Sequence, residues 1–466
     1  MVPCLFTSHL PSDRSPRTGR GSACICKQAA SMAQGAAKQN SKIQNKQKDS
    51  DKMVHRRELS REPINVCIVG GGNLAHTSAG VLAENGHNVN VLTRRPNEWN
   101  KVIEVDTKGS SWEAKGTLYG RLSVITDLPS EALYRVKVVI LATPSHIYPE
   151  MLEKIAPYVE EGAFIGCIYG AGGFQWACEK YLGSRIQQQN LTLFGMFNVP
   201  FICKVTRYGE VTRVVGPKKN LYIASYPIKK FDEIAELLVR LYTIPCVQIP
   251  NFLTLTLSPS NQIIHPGRYY GIFKDWDGKT PYNPEDLPKT LYEDMDDFSA
   301  NEMQLLDNEL QSIKKALVKR FPALDLDNVI PLGERVIKQY GSDVSDTSSL
   351  KQIFRTNLGY ATVPVPVQKV PGGVQPAVKS RLFWEDVPYG LCILRNMADM
   401  LDLQVPNVNK QIEWHQKFMG VQFLKDGKLN MEVMNTTGTP IRYGMNTIEE
   451  VIKTSIDNEA PTAKLQ

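Results

Sequence analysis

Residues 64–95 read INVCIVGGGNLAHTSAGVLAENGHNVNVLTRR, and this stretch decides the fold. Its first six residues are mostly apolar and predict a short buried strand, which ends at a run of three glycines. A helical stretch with small apolar residues follows and ends near Gly86, and residues 88–93 then alternate as a second strand. A strand, a glycine turn, a helix and a second strand within about thirty residues form the βαβ unit of a dinucleotide-binding sheet.

The glycine turn predicts where a cofactor pyrophosphate would bind. Gly70, Gly72 and Ala75 fit the pattern G-x-G-x-x-A, and Asn73 lies within the same turn. A tight turn that opens a helix presents backbone N–H groups and the positive end of the helix dipole to an anion. We therefore predict Gly70, Gly72, Asn73 and Ala75 as cofactor-binding residues.

The end of the second strand bears on the choice between NAD and NADP. An acidic residue at this point would accept hydrogen bonds from the adenosine ribose, but the chain has Thr93, Arg94 and Arg95 there. A hydroxyl and two guanidinium groups suit a 2′-phosphate, so the sequence favours NADP, with NAD as the alternative if the arginines are ordinary solvated charges. A third strand, predicted over residues 136–143, is followed by Pro144, which we expect to line the cofactor crevice.

After about residue 257 the alternation of strands and helices stops. Residues 301–320 place apolar side chains at intervals of three and four, which predicts an amphipathic helix, and residues 391–401 and 409–419 predict two more. The segment ATVPVPVQKVPGG (361–373) predicts a long irregular loop. The fold class expected is therefore α/β: a doubly wound (Rossmann) dinucleotide-binding domain followed by a mostly α-helical C-terminal domain.

The positive charge of the chain is concentrated at its N-terminus. The 466 residues carry a formal charge of +6, but residues 1–62 alone contain twelve basic and five acidic residues, so the remainder carries −1. A nearly neutral body argues against a nucleic-acid partner. We expect a disordered basic extension (1–62), a Rossmann domain (63–257), a helical substrate domain (258–455) and a flexible tail (456–466).

Composition also bears on compartment and metal content. The nine cysteines form no CxxC pair and no zinc-type spacing with histidine, so we expect no metal site and a reducing compartment. No apolar run approaches the roughly 18 residues that span a membrane. We expect a cytoplasmic protein with no membrane partner. The arginines and serines of the first forty residues leave organellar targeting as an alternative, although they show no clear amphipathic helix.

A histidine and a carboxylate are candidates for acid–base chemistry. His265 stands in LTLSPSNQIIHPGRYYG, where the two predicted domains meet, and SRLFWEDVPYGL supplies Arg381, Glu385 and Asp386. A carboxylate that orients an imidazole is a common acid–base device. From the residues alone, however, the pairing of His265 with Asp386 is only one of several combinations.

The residues resemble the octopine/nopaline (opine) dehydrogenase family from about residue 64 to about residue 420. The resemblance is carried, in order, by VCIVGGGNLAH, VVILATPSH, NVPFICKVTRYGEVTRVVGPKK, NQIIHPGRYYG and WEDVPYGL. It implies an NADH- or NADPH-dependent reductive condensation of an amino acid with a 2-oxo acid, usually pyruvate. It also implies that His265 is the catalytic histidine, Asp386 its partner, and Arg381 a ligand of a substrate carboxylate.

Two other classes of function stay open at this point. One is another two-domain NADP enzyme, of the glycerol-3-phosphate or 2-hydroxy-acid type, and the other is a non-catalytic NADP-binding sensor. The expected partners are small-molecule substrates, and the expected state is a monomer or a homodimer. Which amino acid would be used depends on side chains that the sequence does not place.

Overall fold

A nine-stranded sheet organises the first half of the chain in the computed structural model, which describes residues 53–54 and 62–456. The strands of this half, in chain order, are β1 (Met53–Val54), β2 (Asn65–Val69), β3 (Asn88–Leu92), β4 (Val102–Asp106), β5 (Leu118–Arg121), β6 (Val124–Thr126), β7 (Val138–Leu141), β8 (Phe164–Cys167), β9 (Thr192–Met196), β10 (Phe201–Arg207), β11 (Val211–Pro217), β12 (Leu221–Tyr226) and β13 (Cys246–Gln248). The helices are α1 (Asn73–Glu84), α2 (Pro129–Ala132), α3 (Tyr148–Ile155), α4 (Phe174–Leu182), α5 (Arg185–Gln188), α6 (Phe231–Tyr242) and α7 (Phe252–Leu257).

The large sheet has the strand order β1-β13-β12-β9-β8-β7-β2-β3-β6. The six strands from β6 to β9 are all parallel to one another, and β12 then joins β9 in the antiparallel sense. The chain runs outward from β2 in one direction and then, from β7, in the other. The predicted doubly wound fold is therefore confirmed, and the crevice for a ligand lies at the carboxyl end of β2, where the winding changes direction.

A second sheet covers the helix that follows the glycine turn. Its order is β10-β11-β4-β5. A Cβ on Gly120 of β5 would lie 2.0 Å from the carbonyl oxygen of Gly80 in α1, so only a glycine allows this backbone approach. On the β10–β11 side of this sheet, the buried hydroxyls of Thr77 in α1 and Thr212 in β11 lie 2.6 Å apart. The helix α1 is thus packed between the small sheet and the large sheet.

The second half is mostly helical, as predicted. Its helices are α8 (Asn261–Phe273), α9 (Asp297–Arg320), α10 (Leu332–Tyr340), α11 (Leu350–Arg355), α12 (Arg381–Trp384), α13 (Cys392–Met400), α14 (Pro406–Gln416) and α15 (Ile448–Ile452), with a π-helical turn at Val387–Leu391. The long helix begins four residues before the predicted start because the Asp296 carboxylate caps it by accepting a hydrogen bond from the Ser299 N–H. Met303, Leu306 and Leu310 on this helix are fully buried, as the apolar spacing indicates.

The prediction of an irregular loop over residues 361–373 is wrong in part. Residues Val367–Val370 (β14) and Gly373–Pro376 (β15) form an antiparallel hairpin. Pro371 and Gly372 between them supply the turn, since Gly372 has positive φ. A second short hairpin joins β16 (Leu424–Lys425) and β17 (Lys428–Leu429).

The two halves share one apolar core. One face of the large sheet packs against the helical half through a continuous buried cluster, while the other face packs against α1, α6 and the small sheet. The predicted boundary at residue 257 stays a prediction. The helix that ends at this residue, α7, contacts β9 and β12 of the first half. Residues 1–62 and the tail lie almost wholly outside the described residues. Met53–Val54 differs from the predicted disordered extension, since it pairs with Val247 and Cys246.

Candidate active site

The glycine turn lies at the carboxyl end of β2 and is open on one side. Gly70 has φ +143°, and a Cβ there would lie 2.7 Å from the carbonyl oxygen of Ala142. A Cβ on Gly72, in contrast, would meet no atom within 4 Å, and no side chain caps the start of α1 there. The backbone therefore leaves room beside the helix N-terminus, which is what a bound pyrophosphate needs. The residues present fit a dinucleotide.

The four predicted residues of the turn differ in their surroundings. Gly70, Gly72 and Asn73 line the turn itself, and the Asn73 Oδ1 accepts a hydrogen bond of 3.0 Å from the Val205 N–H. Ala75 is fully buried, so it allows close packing of α1 on the sheet and offers no surface to a ligand. Asn73 thus also joins the turn to the small sheet.

His76 binds the backbone of the glycine turn through its imidazole ring. The ring is fully buried and stacks on Trp99 at 3.9 Å between centroids. Its Nε2 accepts a hydrogen bond from the Gly209 N–H at 2.8 Å, so the proton lies on Nδ1, which donates to the Gly72 carbonyl at 2.9 Å. Burial lowers the pKa of His76 to about 4, against a small opposing effect of the Gly72 hydrogen bond. A neutral imidazole therefore ties the cofactor turn to the turn at Gly209.

The three residues after β3 lie at the same edge of the sheet. Thr93 is buried, whereas Arg94 and Arg95 are exposed. The Arg95 guanidinium lies 4.0 Å above the ring of Tyr208 and 3.0 Å from the Glu98 carboxylate. Sequence reasoning missed Tyr208, although it lies in the segment NVPFICKVTRYGE. The Tyr208 hydroxyl lies against the glycine turn, since a Cβ on Gly71 would be 2.8 Å from it.

The structure brings His265 and Asp386 together from segments 121 residues apart. The His265 Nδ1 lies 2.7 Å from the Asp386 Oδ2, and the two side chains are 12% and 7% exposed. His265 is in α8, directly before Pro266, and Asp386 directly precedes the π-helical turn. The Nε2 of His265 lies 3.2 Å from the hydroxyl of Tyr292, a residue that sequence reasoning did not single out. Of the several pairings that the sequence leaves open, this one is formed.

Arg381 forms an ion pair with Glu385. Its guanidinium lies 2.9 Å from the Glu385 Oε2 and is more than half exposed. The other oxygen of Glu385 accepts hydrogen bonds from the backbone N–H and the hydroxyl of Ser145, at 3.1 and 3.3 Å. Since Ser145 follows Pro144 at the end of β7, Glu385 connects the helical half to the cofactor half beside the predicted crevice.

A tyrosine from the first half faces the same region. Tyr169 follows β8 and has φ +67°, a left-handed conformation that is strained for a residue other than glycine. Burial raises the pKa of Tyr169 well above its ordinary value, and the negative charge of Asp386 adds to this. The site is therefore formed at the seam between the carboxyl edge of the large sheet and helices of the second half.

Other groups do not form a second centre of this kind. Within residues 62–456, no cluster of three or more His, Cys, Asp or Glu side chains has the geometry of a metal site. The described cysteines at 67, 167, 178, 203, 246 and 392 are unpaired thiols. No helix in the part of the chain that the structure describes is both long and apolar enough to cross a membrane.

A cofactor turn at a Rossmann switch point, with a buried His–Asp pair from a helical domain beside it, defines a class: two-domain dinucleotide-dependent oxidoreductases. Family models narrow this class. Residues 248–419 match the alpha-helical domain of NAD/NADP octopine/nopaline dehydrogenase, and residues 65–188 match the N-terminus of NAD-dependent glycerol-3-phosphate dehydrogenase.

Individual relatives cover nearly the whole described chain. Octopine dehydrogenase of Mizuhopecten yessoensis is 29% identical over 405 residues, which are 84% of this chain and 98% of that protein. Tauropine dehydrogenase of Arabella iricolor is 29% identical over 398 residues, covering 83% and 99% of the two chains. A solved structure of octopine dehydrogenase with NADH and L-arginine superposes with a TM-score of 0.73 at 27% identity, covering 84% of this chain and 98% of that one. The chain thus resembles octopine dehydrogenase over 84% of its length, and residues 248–419 match the helical domain of the octopine/nopaline dehydrogenase family.

The predicted resemblance is thereby confirmed, and so is the prediction of an opine dehydrogenase-like oxidoreductase. The match to a glycerol-3-phosphate dehydrogenase covers only the cofactor half. The roles of individual residues, and the choice between NAD and NADP, stay predictions.

Proposed function

We propose that this protein catalyses the NAD(P)H-dependent reductive condensation of an amino acid with a 2-oxo acid, of which pyruvate is the expected one, to an opine-type secondary amine. The observation that carries the proposal is the His265–Asp386 pair, closed at 2.7 Å and nearly buried at the seam with the cofactor half. A buried carboxylate on Nδ1 holds the imidazole in one orientation and stabilises its protonated form.

The condensation requires a group that both gives and takes protons. Amine and carbonyl join through a carbinolamine, whose hydroxyl must leave as water to form an imine. Protonated His265 donates its Nε2 proton to that hydroxyl, which leaves as water while the nitrogen lone pair forms the C=N bond, and His265 is left as the neutral imidazole. Asp386 keeps Nδ1 protonated throughout. A bound reduced nicotinamide supplies the hydride that reduces the imine. General acid–base groups of this kind contribute about 10²–10⁴ in rate.

Arg381 is proposed to bind a substrate carboxylate. Its guanidinium is more than half exposed and lies 2.9 Å from the Glu385 Oε2, at the contact between the helical half and the cofactor half. An arginine pairs with a carboxylate through two parallel hydrogen bonds, which fixes the orientation of the acid. Because Glu385 also binds Ser145, the position of Arg381 depends on the contact between the two halves.

For the cofactor we propose NADPH over NADH. The end of β3 presents Thr93, Arg94 and Arg95, and both arginines are exposed at the edge where an adenosine ribose would lie. The double variant Arg94→Ala/Arg95→Ala should weaken NADPH binding at least tenfold and NADH binding little, by fluorescence titration. Arg121→Ala, an exposed arginine on β5, is the matched control. Equal losses for both cofactors would mean that these arginines do not read the 2′-phosphate.

The activity is tested by following NADPH and NADH oxidation with pyruvate and a panel of amines that includes arginine, alanine, glycine and taurine. Consumption that requires both co-substrates supports the proposal. Oxidation with a keto or phospho substrate alone supports one of the other dehydrogenase types, and cofactor binding without turnover supports a sensor. The His265→Ala variant should abolish turnover while cofactor dissociation constants stay within twofold; near-normal turnover would remove His265 from the mechanism.

We further propose that the enzyme acts on these small molecules alone, as a monomer or homodimer in the cytoplasm, with no metal. The nearly neutral charge of residues 63–466 supports the absence of a nucleic-acid partner. Sedimentation analysis of the purified chain, and fluorescence of a full-length fusion in cells, test these points.

A further inference from the structure

The Nε2 atom of His265 faces a hydroxyl that the proposed mechanism does not use. Asp386 occupies Nδ1, so Nε2 is the nitrogen that exchanges protons with substrate. The Tyr292 hydroxyl lies 3.2 Å from this Nε2, and the Tyr292 side chain is only 7% exposed. A hydrogen bond at the reactive nitrogen affects both the direction in which it points and the stability of its proton.

The segment that carries Tyr292 is fixed onto the helix that carries His265. Arg268, one turn after His265 in α8, has no exposed surface. Its Nε donates to the Leu291 carbonyl at 2.7 Å and its Nη2 donates to the Asp294 carbonyl at 2.9 Å. Two backbone carbonyls on either side of Tyr292 thus bind one buried guanidinium of α8, which fixes the backbone around Tyr292 relative to the helix of His265.

Aromatic packing fixes the ring itself. The Tyr292 ring lies 4.5 Å from that of Tyr360 and 5.9 Å from that of Phe354, and Tyr340 packs on the far side of Tyr360 at 4.8 Å. These tilted ring contacts restrict the side-chain torsions of Tyr292. The hydroxyl is therefore presented to Nε2 in a defined place and without the entropy cost of ordering it for each turnover.

We propose that Tyr292 is a positioning residue of the reductive condensation, acting through the Nε2 of His265; the inference rests on the function proposed above. A phenol hydroxyl both donates and accepts. While His265 is protonated, the phenol oxygen and the carbinolamine hydroxyl share its single Nε2–H. Once that proton has gone to the departing hydroxyl, the phenol rotates its own O–H to donate to the bare Nε2. No bond within Tyr292 breaks, and the imidazole stays aimed into the seam in both protonation states.

The test compares Tyr292→Phe with Tyr340→Phe, which makes the same chemical change two rings away from Tyr292. Tyr292→Phe should lower kcat about tenfold or more, because it removes a hydrogen bond to a group that becomes charged. The KM values and the cofactor dissociation constant should stay within twofold, and the solvent deuterium isotope effect on kcat should rise. Tyr340→Phe should resemble the wild type in each respect.

A second measurement does not depend on turnover. Long-range ¹H–¹⁵N spectra of histidine-labelled protein report the Nε2 of His265, and its resonance should move in Tyr292→Phe but not in Tyr340→Phe. An unchanged kcat in folded Tyr292→Phe, or an equal loss of cofactor binding and kcat, would overturn the positioning role. If the wild type turns over no substrate of the panel, the proposed function fails; an unmoved Nε2 resonance would separately overturn the inference about Tyr292.

Discussion

Acid should destabilise this protein through His415, because burial of this side chain favours its neutral form. His415 is fully buried in α14, and its Nδ1 donates to the Gln411 carbonyl at 2.7 Å. The Nε2 is buried, and among the described residues it has no hydrogen-bond partner. Burial lowers the pKa of His415 to about 4. A proton on Nε2 would therefore be placed in an apolar environment that offers it no acceptor.

The sign and size of the effect follow from the two pKa values. Between pH 6.5 and pH 4 the unfolded chain binds a proton at His415 that the folded chain does not bind, so stability falls as the pH falls through this window. For a shift from 6.5 to about 4 the loss between pH 7 and pH 5 is about 2 kcal/mol, and it reaches a limit of about 3 kcal/mol below pH 4. His76, also buried with a pKa of about 4, adds a loss of the same sign.

Urea unfolding at pH 7 and pH 5 measures this loss, and the variant His415→Phe isolates it. Phenylalanine fills the place of the ring, which packs on Phe383 at 4.8 Å and on Trp414 at 4.7 Å. The loss between the two pH values should be about 2 kcal/mol smaller in His415→Phe than in the wild type. Trp414→Phe, a neighbouring ring that does not titrate, should keep the full loss. An equal loss in wild type and His415→Phe would refute the reasoning.

Three further predictions concern the catalytic pair, the cofactor edge and the helix packing. Asp386→Asn should lower kcat by about 10²–10⁴ and leave the cofactor dissociation constant unchanged. Steady-state kinetics and fluorescence titration measure these two quantities. A smaller loss of kcat would mean that the carboxylate does not act on the histidine. Glu98→Gln frees the Arg95 guanidinium from its ion pair, so NADPH should bind about two- to fivefold more tightly while NADH does not; an equal gain for both would contradict this. Gly271→Ala would place a Cβ 2.1 Å from the Ser299 Oγ, where α8 crosses α9, and should lower the free energy of unfolding by about 1–3 kcal/mol, whereas an unchanged urea midpoint would show that the helices separate without cost.

Much of the architecture follows from local pattern. The strand, glycine turn and helix over residues 64–95 have a periodicity and a turn chemistry that few other structures satisfy, so the Rossmann half could be predicted. The same holds for the helix Asp297–Arg320, whose buried face has a period of 3.6. The hairpin at Val367–Pro376 was missed because its prolines and valines read as a loop until the partner strand is known.

The candidate site also has some features that the sequence determines and others that only the tertiary structure shows. The sequence by itself determined that a dinucleotide turn is present, and its order of motifs showed the resemblance to opine dehydrogenases, because both signals lie within contiguous residues. Only the tertiary structure decided that His265 meets Asp386, that Glu385 joins Arg381 to Ser145, and that Tyr292 faces the reactive nitrogen. These contacts join segments separated by up to 240 residues, and no local pattern encodes such a distance. They exist because the helical half packs its core onto one face of the sheet and so brings its own polar residues to the carboxyl ends of the strands.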